Sequence, residues 1–451
     1  MTELLRRRLW LVAFLVLCSA GPFLSGLRLP DMGDTLLATV DQDSEANALR
    51  EVDGFRAQGL WHDAGLGQAI FNNRYQGFGF ENGDPNLARY LTPEGVYTHY
   101  PPGPEYLLYV AEALFGPEPV SRLRLLPLAV CWAATVFLGL SVRRRFGGTV
   151  GWLVMLACLA MSPFYDADIA LHMIGYAMAL LMVEIGLSLG SYRGSLPFIA
   201  LGFLQGWMSF DWVFVVVLAP LALALALPLI SPGEPPRLRQ GVMRTCLVAV
   251  GFVAAHGMHF CEVWAYYGSL GRALSDMADA ARFRSSIAEI PGISSYGGKL
   301  LFILYFHILS PFPISEFFWR PDAEFPLRLH VFRFLGLTIG AWWPLVAATL
   351  VATDTVRKRM GLATLHLLVR WLGITGLGLG VSCTWWIVMQ NHAFQHLFLH
   401  YRHLFFWFFL SVLFIAATIA PAVERVLAGF APTRRPERLS GREQTSGAAE
   451  M

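Results

Sequence analysis

Apolar stretches of roughly twenty residues recur along this chain, divided by short polar links, and that rhythm predicts a bundle of membrane-crossing helices. The first runs from Leu9 to Leu29 behind Arg6, Arg7 and Arg8. Further spans are centred near Val130, Met155, Met178, Leu201, Leu221, Val253, Gly340, Gly376 and Phe414. The links carrying Arg143-Arg144-Arg145, Arg193, Arg237 to Arg244, Arg357-Lys358-Arg359 and Arg425 to Arg442 are expected on the cytoplasmic side, where basic residues accumulate. The segment Lys299 to Trp319 is apolar enough to cross, but a crossing there would turn Arg357-Lys358-Arg359 and the basic tail outward. It is therefore expected as an interfacial or re-entrant piece, broken at Pro311 and Pro313. The expectation is an all-α polytopic membrane protein with about ten transmembrane helices and both termini cytoplasmic.

Composition agrees with that class: 55% of the 451 residues are hydrophobic and 15% charged, with a mean hydropathy of +0.50. A net charge of +2 leaves no basic domain to neutralise phosphates, which excludes a nucleic-acid partner. The N-terminus is expected as an uncleaved first helix, because Leu17 stands before Cys18 where a lipoprotein signal needs a small residue, and no Ala-x-Ala site follows. All six cysteines fall in or beside apolar segments, so no disulfide or zinc framework follows from them. No internal repeat or appended soluble domain is visible. Residues 1–431 form a single integral-membrane domain in this reading, with a first outward loop at 30–103. Residues 432–451, rich in Arg, Glu, Ser and Gly, read as a disordered cytoplasmic tail.

Residues able to do chemistry concentrate in the links on the other side, as expected of loops held by a rigid scaffold. The first of these opens with Asp41-Gln42-Asp43-Ser44-Glu45, followed by a helical pattern with Ala46, Leu49, Val52 and Phe55 on one face. Helix capping by Asp43 or Ser44 accounts for part of that acidic start. The same loop ends in Tyr97-Thr98-His99-Tyr100-Pro101-Pro102-Gly103-Pro104, where the prolines fix the backbone and hold His99 and Tyr100 on a stiff extended segment before an apolar helix. Tyr165-Asp166-Ala167-Asp168 and His172 lie at the rim between the third and fourth spans, and Asp211 lies at the turn between the fifth and sixth. Ionisable groups at a bundle rim need a polar cavity or water. His392, His396, His400 and His403 recur at helical spacing, with Arg402 beside them. Anion contact suits that stripe better than zinc, since no carboxylate or cysteine is adjacent, and Arg402 can hold a phosphate through two parallel hydrogen bonds.

These motifs together resemble the GT-C class of integral-membrane glycosyltransferases, which includes protein O-mannosyltransferases and aminoarabinose transferases of lipid A. The likeness rests on the acidic motif after the first span, on Gly59, on the Pro-Pro element leading into Glu105-Tyr106-Leu107-Leu108-Tyr109, on Arg122-Leu123-Arg124-Leu125-Leu126-Pro127, and on Ser162-Pro163. It covers roughly the first 230 residues, and beyond them only the helix layout is similar. Two departures stand out. Ser44 separates the two acids that are contiguous in the family, and Gly103-Pro104 follow the Pro-Pro where leucine is usual.

The resemblance implies inverting transfer of a sugar from a polyprenyl-phosphate donor to a lipid, glycan or protein acceptor at the extracytoplasmic face of a cytoplasmic (inner) membrane. It makes Asp43 the expected general base, with Asp41 and Glu45 as alternatives. Asp166 or Asp168 supplies a second acid, His99 reaches the donor phosphate or the sugar, and Arg402 with His396 or His400 holds the leaving phosphate. Tyr100 and His172 complete the expected substrate-binding set. No particular cofactor follows from the residues, and a divalent metal near His99 and the acids is compatible with the spacing without being demanded by it. A transporter of lipid-linked glycans and a non-catalytic assembly subunit are the competing readings of so apolar a chain.

Overall fold

The computed structural model of the protein describes residues 3–37, 42–72, 74–81, 90–159, 167–190, 192, 194–287, 290, 292–308, 364–395 and 401–430. In chain order the helices are α1 (Glu3–Gly26), α2 (Leu29–Met32), α3 (Gln42–Gln58), α4 (Gly103–Phe115), α5 (Val120–Leu123), α6 (Leu125–Phe146), α7 (Gly148–Leu159) and α8 (Met173–Leu189). They continue with α9 (Leu196–Met208), α10 (Val213–Ile230), α11 (Leu238–Tyr267), α12 (Leu270–Ser285), α13 (Tyr296–Ile308), α14 (Thr364–Val388), α15 (Gln390–Gln395) and α16 (Tyr401–Phe430). A single 3₁₀ turn, Ala167–Ile169, precedes α8. The described residues contain isolated β-bridges and no strand.

Among the described residues, six stretches are long and apolar enough to cross a membrane: Arg7–Met32, Val120–Phe146, Val213–Ile230, Leu238–Tyr267, Val369–Val388 and His403–Ala428. Gly148–Leu159, Met173–Leu189 and Leu196–Met208 are apolar but shorter. At about 1.5 Å per residue, α7 covers only about 18 Å of a hydrocarbon core about 30 Å thick. Together these helices occupy every expected span except the one near Gly340, which lies outside the described residues. Pro311, Pro313, Arg357-Lys358-Arg359 and the tail 432–451 also lie outside them. The protein is thus an all-α, multi-pass membrane protein.

One core runs through the bundle from Phe14 on α1 through Leu138 on α6 and Leu181 on α8 to Phe405, Phe406 and Phe409 on α16. In lipid, apolar burial between helices gives little driving force, so association depends on how closely backbones approach. The crossing of α9 and α11 shows this. A Cβ at Gly202 would overlap the Val248 carbonyl, and one at Gly251 would overlap the Ile199 carbonyl. Glycine at these two positions lets the helix backbones touch.

At the end of the bundle that carries the first long loop, α3 and α4 pack together over Ala48, Leu49, Val52, Phe55, Leu108 and Ala111. The expected apolar face of α3, Ala46, Leu49, Val52 and Phe55, is buried. Burial goes further than an amphipathic helix requires, because Glu45, Arg50, Glu51 and Asp53 are buried too. The chain after α3 folds back over its polar side. Arg50 fixes that return by donating to the carbonyls of Arg74 (2.9 Å), Tyr75 (3.1 Å), Phe78 (2.9 Å) and Phe80.

Candidate functional site

Two of the three acids of the motif are described, and they face different surroundings. Asp43, Asn47 and Arg50 follow one another at helical spacing and share a face of α3. Oδ1 of Asp43 accepts the Gly79 N–H (2.9 Å), and Oδ1 of Asn47 accepts the Phe80 N–H (2.9 Å), so this face anchors the returning loop. The Asp43 side chain is exposed, and its Oδ2 has no partner among the described residues. Glu45 is wholly buried instead. Its Oε1 accepts from Arg124 (2.7 Å) and the Leu171 N–H (3.0 Å), and its Oε2 accepts from Arg124 (2.9 Å) and the Leu37 N–H (2.8 Å). Burial alone would push the pKa of this carboxyl up, but the charge and hydrogen bonds of Arg124 outweigh it and hold Glu45 below the usual carboxylate range. Each oxygen already receives two donors, so Glu45 positions α3 against α6 and has nothing left to accept a substrate proton.

Asp168 and His172 are buried beside this ion pair, with His172 near enough for its charge to act on Glu45. Asp41, Asp166, His396 and His400 lie outside the described residues, as does the side chain of Arg402, whose backbone lies in the first turn of α16.

The Pro-Pro segment gathers the rest. Pro101 and Pro102 are buried, and Gly103 starts α4 directly against the Trp207 carbonyl, which any Cβ would strike. That contact accounts for glycine where the resembling family carries leucine. The preceding Tyr100 hydroxyl donates to Oδ1 of Asp211 (2.9 Å) and lies 3.0 Å from Nε2 of His392. Since the phenol has one proton and Asp211 receives it, His392 meets the phenol oxygen as the donor, through Nε2–H. His392 and Asp211 are themselves 3.7 Å apart. Burial, with the Asp211 charge behind it, pushes the Tyr100 phenol well above its ordinary range.

Arg284, on the buried face of α12, places its guanidinium 4.8 Å from the Tyr100 ring centre and 4.5 Å from that of Phe210. Asn391 joins α12 to α15 through the carbonyls of Phe283 (3.0 Å) and Ser286 (3.2 Å), which fixes His392 relative to Arg284. Tyr97 stacks on Tyr100 at 5.6 Å and faces Phe80 at 5.8 Å. A row of rings therefore leads from the loop held by Asp43 and Asn47 to Arg284. On the other side of the segment, Nε2 of His99 lies 3.5 Å from Oδ1 of Asp276. Burial would raise the Asp276 carboxyl, but hydrogen bonds from His99, Thr98 and Tyr267 with the His99 charge hold it below its ordinary range.

The histidine stripe divides. His392 lies in α15 and His403 in α16, and both pack on Trp385, edge-on at 5.4 Å and stacked at 6.0 Å respectively. His403 also stacks on Trp212 at 5.6 Å, an apolar sandwich that gives it a packing role. Among the described residues no group of three or more His, Cys, Asp or Glu side chains is arranged to hold a metal ion.

Sequence reasoning passed over Arg284 and Asp276. A signal for the first was present: Ala273, Ala280 and Arg284 share one helical face of α12, and an arginine on a buried face needs a partner.

No protein-family model matches the chain, and no curated protein matches it. Two solved structures are similar to it. One is the archaeal oligosaccharyltransferase AglB from Archaeoglobus fulgidus in complex with an inhibitory peptide and a dolichol-phosphate, at 13% identity over 95% of this chain and 53% of that one, with a TM-score of 0.41. The other is the Archaeoglobus fulgidus oligosaccharyltransferase in the apo form, at 14% identity over 94% of this chain and 52% of that one, with a TM-score of 0.42. The chain spans about half the length of these oligosaccharyltransferases.

Proposed function

We propose that this protein is a membrane glycosyltransferase that moves a sugar, with inversion, from a polyprenyl-phosphate donor to an acceptor at the extracytoplasmic end of the bundle. The observation that carries the reading is the row of rings, Phe80, Tyr97 and Tyr100, that joins an exposed carboxylate to a buried cation. A glycosyl transfer needs both ends. The acceptor hydroxyl has a pKa far above 7, so a base must take its proton as the new bond to the anomeric carbon forms. Asp43 supports that role through Oδ2, because the Gly79 N–H fixes its other oxygen and orients the group.

As the bond from the anomeric carbon to the phosphate oxygen breaks, the electron pair leaves with the lipid phosphate, and the developing charge needs cationic contacts. Arg284, with the N–H of His392 nearby, suits that end. Arg402, His396 and His400 add to it in this reading. The carboxylate of Asp211 keeps Tyr100 oriented, and the aromatic faces between the two ends suit the apolar side of a sugar ring.

The test is transfer by purified protein in lipid, using labelled polyprenyl-phosphate sugars and candidate acceptors, with Asp43→Asn run beside the native chain. Native protein transfers label, and Asp43→Asn loses about two to four orders of magnitude in rate while staying folded. A variant that turns over at the native rate removes Asp43 as the base. Well-folded native protein that consumes no donor removes the reading itself.

A further inference from the structure

The segment that carries Tyr97 and Tyr100 is itself held by α11, through a histidine that the proposed reaction does not use. His259 is fully buried on that helix. Its Nε2 lies 3.0 Å from the carbonyl oxygen of Thr98, a residue buried with it. Its Nδ1 lies 3.3 Å from Oε2 of Glu262, on the same helix. A backbone carbonyl has no proton to give and neither does a carboxylate, so each ring nitrogen faces an acceptor. A neutral imidazole satisfies only one of them, and its other nitrogen then sets a lone pair against an oxygen lone pair in a buried site. A ring with a proton on each nitrogen satisfies both. The Glu262 side chain is 12% exposed, and its contact with solvent favours the ionised form that balances the ring.

The neighbouring groups fit this arrangement. His256, also on α11, packs on the Phe252 ring at 4.7 Å, and its Nε2 is buried without a hydrogen-bond partner among the described residues, a setting that suits a neutral ring. Tyr106 of α4 faces Glu262, but its hydroxyl donates to the Gly65 carbonyl (2.7 Å), which leaves the carboxylate to His259. On the other side of Thr98, Asp276 of α12 meets Nε2 of His99 at 3.5 Å and accepts from Thr98 and Tyr267. Two consecutive residues of the segment are therefore gripped from two helices, Thr98 from α11 and His99 from α12.

We propose that His259 is an imidazolium that ties α11 to the Thr98 carbonyl, and that this tie fixes the Pro-Pro segment and the Tyr97 and Tyr100 rings on either side of Thr98. His259 acts through Thr98 and is a positioning residue. A charged donor makes a hydrogen bond about twice as strong as a neutral one, which suits a contact that must hold a loop without a strand or helix of its own. Stiffness matters at this point of the chain, because the two rings are the faces offered to the sugar, and a displacement of about 1 Å at a reacting centre costs about a hundredfold in rate.

The effect on transfer rests on the glycosyltransferase reading, and the charge on the ring does not. The experiment records nitrogen NMR spectra of the full chain in lipid at neutral pH, with labelled histidine, for native protein, His259→Phe and Glu262→Gln, and follows transfer in parallel. The chain has 12 histidines, so the ring is identified by difference between these spectra. One imidazolium signal of the native protein is absent from His259→Phe. In Glu262→Gln the same ring becomes neutral with its proton on Nε2, because the amide now donates to Nδ1 and the Thr98 carbonyl still needs a donor. His259→Phe loses about ten- to a hundredfold in kcat while donor KM changes little, since Arg284 and His392 still hold the phosphate in this reading. A neutral ring in native protein overturns the proposal, as does an imidazolium that persists in Glu262→Gln. Native transfer rates in folded His259→Phe overturn the positioning role. Should His259→Phe fail to fold, the signal that Glu262→Gln converts identifies the ring without it. Spectra that behave as expected while native protein transfers no sugar overturn the glycosyltransferase reading and leave the charged tie standing.

Discussion

Asp43 and Glu45 are separated by one serine, and their surroundings give them opposite chemistry. Glu45 is a saturated acceptor locked to Arg124, and removing the arginine would leave a carboxylate buried without compensation. Arg124→Ala is expected to cost about 3–5 kcal/mol, read as a lowered unfolding midpoint or a loss of monodisperse protein. The same pair sets a pH response at the acid end. Since Glu45 is held below its ordinary range, its contribution is present above about pH 4.3 and is lost as pH falls through the lowered folded-state value. Both residues were visible in the sequence as parts of motifs. Their partnership was not, because 79 positions separate them and helical spacing carries no information about contacts between distant segments.

At the scale of elements, the pattern of apolar positions was informative for nearly every described helix. Spans expected near Val130, Val253 and Phe414 lie within α6, α11 and α16, because long apolar runs bounded by arginine allow few other conformations in lipid. The surface of α3 was less legible. Periodicity marked its apolar face, but Arg50, Glu51 and Asp53 are buried through a loop whose return depends on hydrogen bonds to backbone carbonyls, and such bonds leave no residue-type signature at their receiving end. Close helix crossing gives the prediction at this scale. Gly251→Leu forces α9 and α11 apart and is expected to destabilise the bundle by at least about 1–3 kcal/mol, measured as a lowered unfolding midpoint in lipid. Gly257, on the same helix with open space around it, serves as the control.

Over the whole molecule, the candidate chemistry gathers at the end of the bundle carrying the first long loop. The arginine-bearing connections Arg143-Arg144-Arg145 and Arg237 to Arg244 lie at helix ends remote from it along the chain. Two-sided labelling tests the orientation that the basic links imply. In a cysteine-free background, Asp279→Cys on exposed α12 is expected to react with an impermeant maleimide in intact cells, and Pro235→Cys between α10 and α11 only after lysis. The reverse pattern would invert the assignment. The meeting of residues 100, 211, 284 and 392 was not readable from the sequence, although Tyr100, Asp211 and His392 had each been singled out. Each came with a local signal, a stiff proline segment, a rim acid or a histidine period, and only the packing of α9, α12 and α15 makes them neighbours.

The seat of Gly103 on the Trp207 carbonyl has a consequence for comparing chains of this architecture. The segment holding Tyr100 can sink to its observed depth only where position 103 has no side chain. A chain with leucine there must retract the end of its fifth span or carry the proline pair higher, which would lengthen the reach between the equivalents of Tyr100 and Asp211. The residue at 103 and the pair at 207–208 should then vary together across lineages. That single position becomes a marker, readable from sequence alone, for how deep the segment holding Tyr100 lies.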